Sequence, residues 1–291
     1  MKHTAKITLL LLFMFLITQF LGLYIIDLYQ EGKLPYGMQP PEMKPEVSFY
    51  TILISIFLAI SFVFLLMKIK AAWVIRIWFF SVIALAIAIT SNAFFQKFLT
   101  NASIISLALG LALSYLKIFR RNIIIHNLTE ILIYPGIAAI FVPLLNIFSA
   151  FILLILISIY DIYAVWYAKF MQEMAKFQIK EMKFFAGFFV PYIRGKQIRS
   201  INFRKGQARK IKVSLAILGG GDVVFPILAA GVVFRAWGLL PALAVSLLSS
   251  LGLLALFALA RKGKFYPAMP FITAGSFVGL LIAFLLKSFL L

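Results

Sequence analysis

The stretch Leu218–Pro226 reads LGGGDVVFP and places an aspartate among glycines and apolar residues. The glycines before Asp222 weaken a helix, and Pro226 cannot donate a backbone hydrogen bond to the carbonyl of residue 222. Irregular backbone of this kind is tolerated at membrane depth where it lines a cavity that holds water. The stretch therefore predicts a polar site inside a membrane-spanning segment.

The composition of the whole chain indicates an integral membrane protein. Of 291 residues, 64% are hydrophobic and 13% are charged, and the mean hydropathy is +1.05. A soluble domain carries about 25% charged residues. Apolar runs of about 20 residues recur along the chain, which is the length that spans a bilayer as a helix. These runs are continuous rather than alternating, so we predict an all-α, multi-pass protein of the lipid bilayer, which in a prokaryote would be the cell membrane.

The hydropathy and the basic residues together predict the topology. We predict nine spans, at 7–26, 49–67, 71–95, 98–116, 123–143, 146–168, 213–233, 239–260 and 265–286. With these spans, 22 of the 28 Lys and Arg residues fall on one side of the membrane and 5 on the other. The positive-inside rule then predicts a cytoplasmic N-terminus and an outside C-terminus. Topology and anionic lipid account for the net charge of +19, so nucleic acid is not expected as a partner.

The spans divide the chain into three parts. A six-helix half covers 1–168, a basic cytoplasmic loop covers 169–212, and a three-helix half covers 213–291. Within the loop, the run FFAGFFVPY at 184–192 is apolar but too short to span the bilayer. We expect it either to lie on the membrane surface or to belong to a disordered linker.

Several classes of hydrolase are excluded by the residues that the chain lacks. There are no cysteines and only two histidines, which excludes thiol catalysis and a histidine-rich metal site. The His-Glu-x-x-His motif of metalloproteases is absent. The run AGSFVG at 274–279 is similar to a serine motif, but no histidine lies in a span interior to act as its base. We therefore expect no metal and no other cofactor.

The positions of the acidic residues single out two of them. Glu130 lies near the cytoplasmic end of the fifth span, beside His126, Asn127 and Thr129, in surroundings that we interpret as wet. Asp161 and Asp222 fall inside spans, where an ionisable side chain is expensive and marks a functional site.

Their spacing predicts that these two carboxylates meet. Asp161 lies eight residues before Lys169, and Asp222 lies ten residues after Lys212. At ~1.5 Å per helical residue, both acids are about 12 to 15 Å from the basic boundary. Side chains lean toward the N-terminus of their own helix, and the two helices run in opposite directions, so the carboxylates converge. Gly219, one helical turn before Asp222, would leave space there for water and a substrate backbone.

Two carboxylates at one level in a site of low dielectric constant share a proton. In aspartic proteases, one of them takes a proton from water while the other gives one to the carbonyl oxygen of the substrate. The same pair could carry protons or cations in a coupled transporter or a leak channel. Such transporters often consist of repeated halves, and no internal repeat is visible in this sequence.

Three motifs give the sequence a specific resemblance. Tyr160–Asp161, Gly219–Asp222 (Gly-x-Gly-Asp) and Pro267–Pro270 (PAMP) lie in this order on the sixth, seventh and ninth spans. The pattern resembles the presenilin and signal peptide peptidase family of intramembrane aspartyl proteases. The predicted orientation is similar to that of presenilins. Two departures are a methionine in place of the leucine of Pro-Ala-Leu, at Met269, and a third glycine at the variable position, Gly220.

The resemblance implies an endopeptidase that hydrolyses peptide bonds within transmembrane helices of substrate proteins or peptides. It implies that Asp161 and Asp222 are the catalytic pair. It also implies a set of residues that bind substrate or support the site: Tyr160, Gly219, Gly221, Pro267, Ala268 and Met269. A homo-oligomer stays open as an alternative to a monomer.

Overall fold

The computed structural model describes most of the chain. The described residues are 5–30, 34–38, 72–120, 122–167, 186–192, 214–260 and 266–290, together with part of 50–68. The statements about structure below apply to these residues.

Helices make up most of the described structure. They are α1 Ala5–Leu28, α2 Ala72–Phe95, α3 Ala102–Phe119, α4 Ile123–Phe141, α5 Ile147–Ile162, α6 Gly220–Trp237, α7 Leu239–Leu259 and α8 Met269–Leu290. A short 3₁₀ turn, Val142–Leu144, follows α4, and a π-helical turn, Tyr163–Tyr167, follows α5. In the described part of the chain, eight segments are long and apolar enough to cross a membrane. The described residues of the predicted second span, 49–67, are helical, and the rest of that span lies outside the described residues.

Polar residues mark the starts of α4 and α5. The side chain of Asn122 accepts hydrogen bonds from the backbone N–H groups of Ile124 and Ile125, at 2.8 and 3.3 Å. Asn146 and Ser149 form a capping box, in which each side chain accepts a hydrogen bond from the backbone N–H of the other. These side chains satisfy N–H groups that have no partner within the helix.

The structure corrects the prediction of an entirely helical protein. Gly187–Tyr192 forms strand β1, and Ser214–Gly219 forms strand β2, which pairs with β1 in antiparallel orientation. Part of FFAGFFVPY is therefore a strand. Helix α6, which corresponds to the predicted seventh span at 213–233, begins at Gly220 instead of 213. The run before Gly219 is continuously apolar, and hydropathy alone does not separate a buried strand from a helix in so short a run. The rest of the predicted loop, outside 186–192, lies outside the described residues.

Helix α6 is the centre of the fold. It packs against α1, α4, α5, α7 and α8, and all its residues from Pro226 to Phe234 are buried. Its first turn therefore lies where other helices and the strand pair meet. This position brings residues from distant parts of the sequence to Asp222.

Candidate active site

Asp161 lies in the last turn of α5, where it binds the start of α8. The residue is 4% exposed, and its Oδ2 accepts a hydrogen bond of 3.0 Å from the backbone N–H of Met269, the first residue of α8. The backbone of Ala268 also hydrogen-bonds to this carboxylate. Helix-starting N–H groups have no partner within the helix and attract a negative charge. Asp161 therefore caps α8, and Pro267 and Pro270 on either side have no N–H to offer.

A second contact ties the same two helices together. The hydroxyl of Ser158 on α5 donates to the hydroxyl of Thr273 on α8 at 2.7 Å, and both residues are buried. This bond lies about one turn from Asp161 along α5 and from Met269 along α8. It holds the two helices at the approach that the Asp161 cap needs.

Asp222 lies in the first turn of α6, with Gly219 as the residue that precedes the helix. Its carboxylate is half-buried and lies beside Gly219. A side chain at Gly219 would begin 3.1 Å from Oδ2 of Asp222. Gly219 does lie beside the carboxylate, but its backbone is extended and not helical, which corrects the prediction of a helical turn before Asp222.

The helices that carry the two aspartates are in contact. Asp161 on α5 binds the start of α8, and Asp222 lies in the first turn of α6, which packs against both α5 and α8. The helical rise assumed between Lys212 and Asp222 was wrong, because residues 214–219 form a strand, which rises about 3.3 Å per residue instead of 1.5 Å. The convergence arises differently: α6 and α8 both begin at the site, and each start holds one carboxylate.

The other residues of the predicted site differ in their surroundings. Tyr160 is 41% exposed and does not share the buried position of Asp161. Gly221 is exposed, and a methyl group there would meet only the ring of Phe225, at 3.5 Å. Gly220 is buried, and a methyl group there would lie 2.7 Å from the hydroxyl of Tyr134. Gly220, which departs from the family pattern, is thus more crowded than Gly221.

We therefore expect Gly220→Ala to lower peptide cleavage more than Gly221→Ala. The added methyl group must displace the Tyr134 ring or the first turn of α6, and overpacking of this kind costs about 1–3 kcal/mol. The measurement is the cleavage rate of both purified variants on one substrate, with thermal unfolding alongside. Equal rates for the two variants, or a slower Gly221→Ala, would contradict this steric account.

A buried polar cluster next to the site was missed by the sequence analysis. It consists of Lys117 on α3 with His126, Thr129 and Glu130 on α4, none more than 6% exposed. The ammonium group of Lys117 contacts Glu130 Oε1, Thr129 Oγ1 at 3.3 Å and His126 Nδ1 at 3.3 Å. Its three donors are thereby used. Lys117 lies just outside the predicted span 98–116, and the surroundings of Glu130 were interpreted as wet, but neighbouring elements bury both side chains.

Two side chains of α4, those of His126 and Asn127, hold strand β1. We call this pair of residues the β1 clamp. His126 Nε2 lies 2.8 Å from the carbonyl oxygen of Gly187. Nδ1 accepts from Lys117, so the ring is neutral and Nε2 carries the donated proton. The amide of Asn127 donates to Phe189 O at 2.7 Å and accepts from Phe189 N at 2.9 Å. The only sequence signal was the adjacency of polar residues in the fifth span.

Tyr134 connects the cluster with the catalytic candidates. Its buried hydroxyl lies beside Gly220 in the first turn of α6, one helical turn along α4 from Glu130. Its ring packs edge-on against Phe188 of β1, with the ring centroids 5.8 Å apart. Polar groups therefore continue from α3 through α4 to the first turn of α6.

Comparisons with known proteins found one matching family and solved structures with a similar fold. The family model for signal-peptide peptidase, presenilin aspartyl protease matches residues 12–289. A solved structure of a presenilin family intramembrane aspartate protease in space group C222 superposes with a TM-score of 0.65 at 20% identity, covering 96% of this chain and 99% of that one. A second structure with the same description, in space group P2, has a TM-score of 0.63 at 20% identity and covers 95% and 96% of the two chains. These structures show a shared fold. No curated protein sequence matches the chain.

Proposed function

The chain belongs to the signal-peptide peptidase and presenilin family of aspartyl proteases, and on that basis we propose that Asp161 and Asp222 are its catalytic pair. The protein is a multi-pass intramembrane aspartic endopeptidase that acts on membrane proteins. The observation that supports the proposal is that the two carboxylates lie at the starts of α6 and α8, two helices that pack against each other. The transporter alternative has no support in the family match.

The two carboxylates have complementary roles when the pair holds one proton. The ionised member takes a proton from water as the water oxygen attacks the carbonyl carbon of the scissile bond. The protonated member gives its proton to the carbonyl oxygen, which yields a tetrahedral diol. When the carbon–nitrogen bond breaks, the carboxylate that is now ionised takes a proton from one hydroxyl of the diol, and the other carboxyl gives its proton to the leaving amine, which restores the starting pair. Pro267, Ala268 and Met269 support this pair, because the backbone of Ala268 and Met269 orients Asp161.

The full topology is part of the same proposal. Eight described candidate spans, together with the partly described helical stretch at 50–68, support nine spans. The excess of basic residues on one side supports a cytoplasmic N-terminus and an outside C-terminus. With this orientation, both aspartates lie toward the cytoplasmic half of the membrane.

Strand β2 offers a place where the substrate backbone can bind. The N–H of Gly220 donates to Ala186 O at 3.2 Å, so even-numbered residues of the two strands direct their backbone groups at one another. The backbone N–H and C=O groups of Leu215 and Ile217 therefore point away from β1. In the described part of the chain, no hydrogen bond reaches these groups. An unwound substrate segment can add there as a third strand, with its broken helical hydrogen bonds replaced.

The geometry of an added strand predicts how substrates respond to backbone methylation. Only every second residue of such a strand directs its N–H at β2. We expect N-methylation of successive amides near the cut to slow cleavage with a period of two, by about tenfold at each sensitive position. The measurement is incubation of the purified protein with synthetic single-span peptides in lipid, and mass spectrometry of the products.

Two adjacent methylated amides serve as controls for each other. N-methylation weakens the substrate helix to a similar degree at both, but only one of the two amides faces β2. A rate that changes smoothly with distance from the cut would contradict strand addition. The absence of any cleavage of single-span substrates would contradict the proposed function itself.

A further inference from the structure

We propose that the β1 clamp sets the register in which a substrate segment aligns with Asp222, so that His126 and Asn127 determine the position of the cut. They are positioning residues, because they act through the strand pair and touch neither aspartate. The inference rests on the proposed function, since it takes β2 as the strand to which the substrate adds.

The clamp closes the outer edge of β1 and fixes the strand along its own axis. Gly187 and Phe189 direct their backbone groups away from β2, and those groups are the ones that His126 and Asn127 bind. Asn127 makes the pair of bonds that a residue of a neighbouring strand would make. A slip of β1 by one residue would turn the buried side chains of Phe188 and Val190 to the opposite face.

The residues of β1 that the clamp holds pair with residues of β2 whose backbone groups face away from β1. Gly187 pairs with Gly219, and Phe189 pairs with Ile217. Ile217 offers its outward groups to substrate, and Gly219 lies beside the carboxylate of Asp222. The clamp therefore fixes how far along the chain the substrate-binding groups of β2 lie from the catalytic candidate Asp222.

The buried cluster behind the clamp explains why the clamp keeps its geometry. Lys117 donates to His126 Nδ1, which orients the ring so that Nε2 meets the Gly187 carbonyl. Thr129 donates to the carbonyl oxygen of His126 at 2.7 Å. Ionisable groups inside a membrane protein are expensive, and here they hold a strand that leads directly into the site.

The test compares product masses from Asn127→Ala with those from a matched control. Asn127→Ala removes both hydrogen bonds to Phe189, and we expect the ratio of products cut at neighbouring positions to the main product to rise about tenfold. The control is Asn122→Ala, which removes the cap of the same helix, with its bonds to Ile124 and Ile125, and touches neither strand. It should lower thermal stability and keep the cleavage positions of the wild type.

A second variant keeps the inference testable if Asn127→Ala does not fold. Asn127→Asp retains the acceptor for Phe189 N–H but sets a carboxylate oxygen against Phe189 O, which repels it, so its products should shift at least as far as those of Asn127→Ala. Unchanged cleavage positions in folded Asn127 variants, or the same shift in Asn122→Ala, would overturn the inference. Wild-type protein that cuts no substrate would instead contradict the proposed function, so the two failures are distinct.

Discussion

Replacing either Asp161 or Asp222 by asparagine is expected to abolish peptide cleavage, with a loss of about 10³-fold or more. An amide can neither take a proton from water nor give one to the substrate carbonyl, and the pair needs both steps. The fold should persist, because an amide oxygen at position 161 can still accept from Met269 N, as Oδ2 does now at 3.0 Å. At position 222 the amide is nearly the same size as the carboxylate that lies beside Gly219, so the first turn of α6 should keep its shape. The measurement is product mass from single-span substrates, with thermal unfolding to show that each variant is folded.

Asp27 provides a matched control for this pair of variants. It is exposed in the last turn of α1, and Asp27→Asn makes the same chemical change far from both carboxylates in the sequence. We expect this variant to cleave like the wild type. Substantial cleavage by either purified, folded active-site variant would refute the assignment of the catalytic pair.

The second large effect concerns stability. Lys117→Met is expected to destabilise the protein by about 3–5 kcal/mol, because it leaves the carboxylate of Glu130 buried without its partner. Lys117 and Glu130 are 3% and 1% exposed, so water cannot replace the lost contact. The double variant Lys117→Met, Glu130→Gln removes both charges and should recover most of the loss. Unfolding of the purified variants in detergent measures the effect.

A double-mutant cycle separates this ion pair from a general effect of losing lysine. Lys6→Met is the control, since Lys6 is exposed in the first turn of α1 and its replacement should change stability by less than about 0.5 kcal/mol. Additive losses in the Lys117 and Glu130 variants would show that the two side chains do not stabilise the fold as a pair. The variants should also cleave more slowly, because the cluster holds the β1 clamp.

The class of the protein, its family and the residues on which a site can be built all follow from the order of its amino acids. Hydropathy is a property of local segments, so long apolar runs predicted membrane helices, and eight described helices have that character. The motifs at Tyr160–Asp161, Gly219–Asp222 and Pro267–Pro270 predicted the family, which the match over residues 12–289 confirmed. Acids inside apolar spans are rare, and this rarity alone made Asp161 and Asp222 candidates for the site.

How those residues meet depends on the three-dimensional packing of the chain. The strand pair requires hydrogen bonds between residues far apart in the sequence, such as Gly187 with Gly219, and no local pattern predicts such a partner. Burial likewise depends on what packs nearby, so Lys117 could not be distinguished from a loop lysine by its position in the sequence. The capping of α8 by Asp161 and the β1 clamp arise in the same way. Each pairs a side chain with backbone groups that only the assembled fold brings within reach.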